Sequence, residues 1–106
     1  MTNVGSGLIE GVTEVAVAGT RVQLTTEEIT FTAKTVVIQA LSTNEEEVVV
    51  GGKGVVAKAG AHGAAEQKGI SLAAKGVISI DIDDPRKVYL DSRKAKDGVS
   101  WVVLGA

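Results

Sequence analysis

The strongest constraint on the fold is a series of short β-branched blocks, separated by Gly, Asn and charged residues. The longest block, residues 35–41, carries apolar residues on both of its faces, which predicts a central strand covered on each side. Residues 77–82 alternate between isoleucine and polar positions and predict a half-buried strand. Val, Ile and Thr make up 33 of the 106 residues and Leu only 6, a balance that favours sheets over helices.

The spacing of these blocks predicts an all-β fold, an antiparallel β-sandwich or jelly roll. The predicted strands cover residues 12–18, 21–24, 35–41, 48–50, 70–72, 77–82, 88–90 and 99–104. Residues 1–11 contain three glycines and no hydrophobic period, and they predict a flexible N-terminal arm. A single domain then covers residues 12–106, with a mobile loop over residues 58–68.

Composition excludes several classes of protein. The chain has no Cys, so it has neither a disulfide framework nor a thiol nucleophile. A net charge of −2 argues against nucleic acid and anionic membrane as partners, and no apolar run approaches the roughly 20 residues of a membrane helix. The N-terminus lacks the basic start and apolar core of a signal peptide. With three aromatic residues the core is modest, which favours self-association.

Three groups of residues are candidates for a chemical site. Residues 52–57 match a loose G-x-G-x-x-A pattern, but no helix follows to hold a pyrophosphate, so a glycine turn is predicted. His62 is the single histidine, and it lacks the further ligands that zinc requires. The acidic cluster comprises Asp81, Asp83, Asp84, Asp91 and Asp97. Its spacing matches no calcium loop, so a solvated, turn-forming surface is favoured over a cation site. We therefore predict no catalytic residue, no cofactor and no metal.

The two aromatic residues of the last strands are candidates for a subunit interface. Trp101 is either a core residue of the last strand or the anchor of an oligomer contact, where Trp is enriched. Tyr89 is the second candidate for that contact.

A set of strand motifs resembles a group of small virion proteins of tailed phages and prophages. The motifs are residues 36–44 (VVIQALSTN), 49–52 (VVGG), 69–74 (GISLAA), 80–84 (IDIDD) and 88–90 (VYL). Together they cover the segment from about residue 20 to residue 104. The chain differs from that group in having Val49 where an aromatic residue is usual, and in a longer segment 58–68.

The resemblance implies a non-enzymatic structural protein of the virion, made in the bacterial cytoplasm and bound as a decoration protein to the capsid surface. It implies the major capsid protein as partner and a homo-oligomer, with a trimer favoured. Val4, Leu8 and Ile9 of the arm are the residues expected to dock on the shell. Two alternatives stay open. One is another phage part, such as a tail, head-fibre or adaptor protein. The other is a carbohydrate- or ligand-binding β-sandwich, in which only Tyr89 and Trp101 could stack on a sugar.

Overall fold

The structure, a computed structural model, describes residues 7–57 and 67–105. These residues form eight β-strands and one 3-10 turn, Pro85–Lys87. The strands are β1 (Leu8–Glu14), β2 (Val22–Gln23), β3 (Ala33–Ala40), β4 (Val48–Gly51), β5 (Ile70–Leu72), β6 (Val77–Asp81), β7 (Tyr89–Ser92) and β8 (Gly98–Gly105). Six of them overlap the strands predicted from the sequence over most of their length, β7 overlaps its prediction in two of four residues and β1 in three of seven.

The strands form two four-stranded sheets in which every pair is antiparallel. Sheet A has the order β1-β8-β3-β6, and sheet B has the order β2-β7-β4-β5. This is the strand order of a jelly roll, and it confirms the predicted all-β sandwich. The pairs β1–β8, β2–β7, β3–β6 and β4–β5 are nested. The chain is therefore one long antiparallel ribbon that is rolled up, with the β4–β5 connection at its tip.

The core lies between the inner faces of the two sheets. Val36, Ile38 and Val103 of sheet A are fully buried and pack in one cluster with Val50 and Leu90 of sheet B. The predicted inward face of β3 is confirmed, because its residues alternate between buried and accessible positions. Ile29 and Phe31, in the connection between β2 and β3, pack against the same cluster.

Two sequence expectations about sheet A were wrong. β3 was expected to be covered on both sides, yet its outward residues Val37 and Gln39 are half-buried and exposed. The N-terminal arm was expected to run to residue 11, whereas Leu8–Glu14 form β1, paired with β8 along its whole length. The first strand was predicted at residues 12–18, and only residues 12–14 of that range belong to β1. Sequence alternation did not reveal residues 8–11 of the strand, because its inward positions include Gly11 rather than a large apolar residue.

Candidate interaction surface

The most exposed apolar surface of the described chain is the outer face of sheet A, called the open face below. Its side chains are the outward-pointing residues of β1, β8, β3 and β6. The apolar ones are Leu8, Val12, Val37, Val77, Val102 and Leu104. Val12 is 64% exposed and Val77 is 56% exposed. A shallow groove of about 480 Å³ lies between them, lined mostly by apolar atoms. Exposed aliphatic side chains gathered on one sheet face mark a surface that another molecule covers.

The outer face of sheet B is different, because the chain itself covers it. Val55 N donates to Gly52 O at 3.0 Å, which closes the predicted glycine turn. The segment after the turn packs Val55 and Ala57 over Val49 and half-buried Tyr89. As a result Val49 is fully buried although it points outward. The two sheets therefore differ in one respect: among the described residues, only sheet B has its outer face covered.

Buried Asp91 fastens this covering segment to sheet B. Its Oδ2 accepts a hydrogen bond from Ala57 N at 2.9 Å, and its Oδ1 accepts one from Ser92 N at 2.9 Å. Arg21, the residue before β2, adds a hydrogen bond, with Nη1 donating to Val55 O at 3.3 Å. A buried carboxylate needs such donors, since leaving it unpaired would be costly. Asp91 is thus a structural residue.

Trp101 lies in the core, which confirms the first of its two interpretations. Its side chain is only 6% exposed, and Nε1 donates to Thr13 Oγ1 at 3.0 Å. Thr13 Oγ1 in turn donates to Leu24 O. Little of the indole is left to contact another subunit. Tyr89 packs against Val49 and the covering segment, so neither ring is presented as an open stacking platform.

The residues expected to dock on a shell fall in different places. Leu8 is 63% exposed and points outward from β1, at one corner of the open face. Ile9 points inward and packs against the core, so it is not available for docking. Val4 lies outside the described residues, as do His62 and most of the loop 58–68. Only Leu8 of the three is a surface contact candidate in the described structure.

Sheet A has two edge strands, β1 and β6, and the β1 edge lies beside Leu8. Within residues 7–57 and 67–105, β1 has β8 as its single strand partner. The backbone groups of β1 that point away from β8 can therefore accept another strand.

Asn44 and Asp97 form a hydrogen-bonded hub that the sequence did not predict. Asn44 Nδ2 donates to Gly98 O, and Gly98 N donates to Asn44 Oδ1, both at 2.9 Å. Asp97 accepts from Glu45 N at 3.1 Å and from Glu46 N at 2.8 Å. The hub ties the β3–β4 loop to the start of β8. The one available signal was the position of Asn44 at the end of the VVIQALSTN motif, because its side-chain amide can both donate and accept hydrogen bonds.

The remaining members of the acidic cluster are also engaged within the protein. Thr35 Oγ1 donates to Asp81 Oδ1 at 2.9 Å, and Lys87 Nζ lies 2.9 Å from Asp83 Oδ1. Asp84 caps the 3-10 turn by accepting from Arg86 N, and the Arg86 side chain donates to both of its oxygens. These hydrogen bonds lower the pKa of the Asp84 carboxyl below its ordinary value of 3.8. In the part of the chain that the structure describes, no group of three acidic or histidine side chains could hold a metal ion.

Comparisons with protein-family models, curated proteins and solved structures gave no match for this chain. Across the described ranges, no helix has the length and apolar character needed to cross a membrane. The features that bear on function are therefore the open face, the β1 edge and the motif resemblance.

Proposed function

We propose that this protein is a capsid decoration protein of a tailed phage, bound to the outer surface of the shell through the major capsid protein. It has no catalytic role in this proposal. One structural observation carries it: the sandwich covers one of its outer faces with its own chain and leaves the other open, beside a free strand edge. A domain with such a surface is suited to assembly.

The motif resemblance supports the same role. Its residues lie on β3, β4, β5, β6 and β7, so it involves the framework of both sheets rather than one loop. Jelly rolls recur in viral capsid proteins as well as in lectins. A fold alone does not determine a function, so a lectin role would need exposed aromatic residues that stack on a sugar. With Trp101 buried and Tyr89 packed under residues 55–57, no observation favours it.

We place the capsid contact at the free edge of β1, next to Leu8. A segment of the shell protein would add there as a further strand, with backbone hydrogen bonds providing affinity and Leu8 providing an apolar contact. Many weak contacts of this kind, repeated over a shell, stabilise it through multivalency.

Co-sedimentation tests this function. Purified protein is mixed with capsids, and separately with tails, of the phage or prophage whose genome encodes the chain. We expect saturable binding to capsids, with a fixed number of copies per shell, and no binding to tails. Binding to tails alone would contradict the decoration role in favour of a tail protein.

A pair of variants locates the contact. Leu8→Asp places a charge beside the β1 edge and should weaken capsid binding at least tenfold. Val17→Asp is the matched control: Val17 is 61% exposed and lies in the β1–β2 connection, three residues beyond the end of β1, so its variant should bind normally. Equal binding by both variants would remove the β1 edge as the docking site.

A further inference from the structure

We propose that the open face binds the open face of a second copy of this chain, related by a two-fold axis parallel to the strands. This inference does not depend on capsid binding. It assigns the outer face of sheet A, whereas the capsid contact is assigned to the backbone edge of β1, and Leu8 lies at the corner that the two surfaces share. Three features argue for it: the arrangement of residues across the face, the distribution of charge and the size of the face.

The strand registers place the outward residues of sheet A in four rows. The first row is Leu8, Leu104, Thr35 and Asp81; the second is Glu10, Val102, Val37 and Ser79; the third is Val12, Ser100, Gln39 and Val77. The fourth row begins with Glu14 opposite Gly98. It continues through Leu41, whose N donates to Gly98 O, to Lys75, whose N donates to Ala40 O, each at 3.0 Å.

A two-fold axis along the middle of the sheet exchanges its edges while keeping each row at its own level. β1 of one copy then lies over β6 of the other, and β8 lies over β3. In the third row Val12 faces Val77 of the second copy, and in the second row Val102 faces Val37. Apolar residues therefore meet apolar residues at the centre of the face, as sheet packing requires.

The polar residues also match under this axis. Glu14 of each copy faces Lys75 of the other, which gives two symmetric ion pairs at one rim. Glu10 faces Ser79, and Ser100 faces Gln39, so both polar pairs contain a hydrogen-bond donor. The first row fits less well, because Leu8 faces Asp81 and Leu104 faces Thr35. This row lies at the opposite rim, where the twist of two aligned sheets moves their corners apart.

The other two-fold axis in the plane of the sheet, perpendicular to the strands, gives a poorer match. It places β1 over β1, so Glu10 faces Val12 and Leu8 faces Glu14. The four acidic side chains of the two β1 strands then lie close together without a cation on that edge, and like charges in one contact are destabilising. The parallel axis is therefore the one that we assign.

The size of the face suits a reversible pair. Four strands about 4.8 Å apart and seven residues long, at about 3.3 Å per residue, cover roughly 440 Å² in each copy. Two such faces approach the roughly 1,000 Å² that a specific interface needs. We therefore expect a dimer whose population depends on concentration.

Sedimentation velocity on the full-length protein, without capsids, tests the pairing over concentrations from about 1 μM to 1 mM. We expect the mass to rise from one chain to two. Val12→Asp buries an unpaired charge within the contact, opposite Val77 of the second copy, and should raise the dissociation constant at least tenfold. Ile70→Asp is the matched control, since Ile70 is 56% exposed, close to the 64% of Val12, but lies on sheet B; it should dimerise normally.

A charge exchange tests the assigned axis. At low ionic strength, where ion pairs are least screened, Glu14→Lys and Lys75→Glu should each weaken the dimer, and the double variant should restore it. A monomer throughout, a mass of three chains or a dimer insensitive to Val12→Asp would overturn the proposal. Failure of the double variant to recover would overturn the parallel axis. Because no capsid is present, these outcomes do not test capsid binding. A mass of three chains would instead match the trimer that the motif resemblance implies.

Discussion

At the scale of single residues, Gly11 and Trp101 explain how an unremarkable N-terminal segment becomes a strand. Gly11 faces inward where β1 crosses the indole, and the missing side chain leaves room for the ring. A Cβ added at Gly11 would stand 2.5 Å from Trp101 Cζ2. Thr13 then provides the acceptor that the buried indole N–H needs. Small and polar inward residues in β1 are therefore complementary to one large residue of β8.

Gly11→Ala should lower the free energy of unfolding by about 1–3 kcal/mol, because overpacking displaces the ring or the strand. Chemical denaturation followed by Trp101 fluorescence measures the change. Gly54→Ala is the control, since a Cβ at Gly54 would have no atom within 4 Å. Equal effects of the two substitutions would show that β1 does not pack on the indole.

Asn44→Ala should also destabilise the protein, by about 1–3 kcal/mol. The substitution removes two hydrogen bonds to Gly98 and leaves the buried Gly98 N–H without the amide that satisfies it. The same denaturation experiment on Ser42→Ala, an exposed position of the same loop, gives the baseline and should stay within about 0.5 kcal/mol of the wild type. An Asn44 variant as stable as the Ser42 variant would contradict the role of the hub.

At the scale of elements, the question for residues 8–11 is whether they form a free arm or part of strand β1. As an arm, residues 8–11 would contribute nothing to stability. As a strand, they alternate, with Leu8 outward and Ile9 packed on the core.

The strand assignment therefore predicts that neighbouring substitutions differ. Ile9→Ala should cost about 1–3 kcal/mol of unfolding free energy through lost packing. Leu8→Ala, its matched control one residue away, should stay within about 0.5 kcal/mol. Thermal unfolding of the two variants checks this. If neither changes the midpoint, the region is an arm after all.

The elements also show which parts of the fold could be predicted. β3 and β6 follow from apolar alternation, because their inward residues are the aliphatic ones of the core. The first half of β1 could not be found from alternation, because its small inward residues pack against Trp101, more than 80 residues away in sequence. The open face was not predicted for a related reason. The sequence pattern around Val37 predicts burial on both faces of β3. The path of residues 52–57 over sheet B, which the pattern does not give, shows that sheet A is the uncovered one.

At the scale of the whole molecule, the fold depends on its last strand. β8 lies inside sheet A, between β1 and β3, and supplies Val99, Trp101 and Val103 to the core. The first and last strands must meet before sheet A is complete, and such non-local pairing makes folding slow and cooperative.

Removal of residues 98–106 should therefore abolish the native state rather than merely weaken it. Amide chemical-shift dispersion in an NMR spectrum, or loss of the cooperative thermal transition, reports the result. A truncated chain that kept a cooperative transition would show that sheet B and the remaining strands fold without β8.

The meeting of the two ends has a consequence for engineering. Gly105 N donates to Gly7 O at 2.8 Å, so the chain enters and leaves the described domain at one point. A peptide linker could join the ends there, and new termini could be opened at the exposed Gly52–Gly54 turn at the ribbon tip. Such a circular permutant would retain all eight strands and their neighbours. Cargo fused to its new ends would project from the β4–β5 connection of sheet B instead of from sheet A.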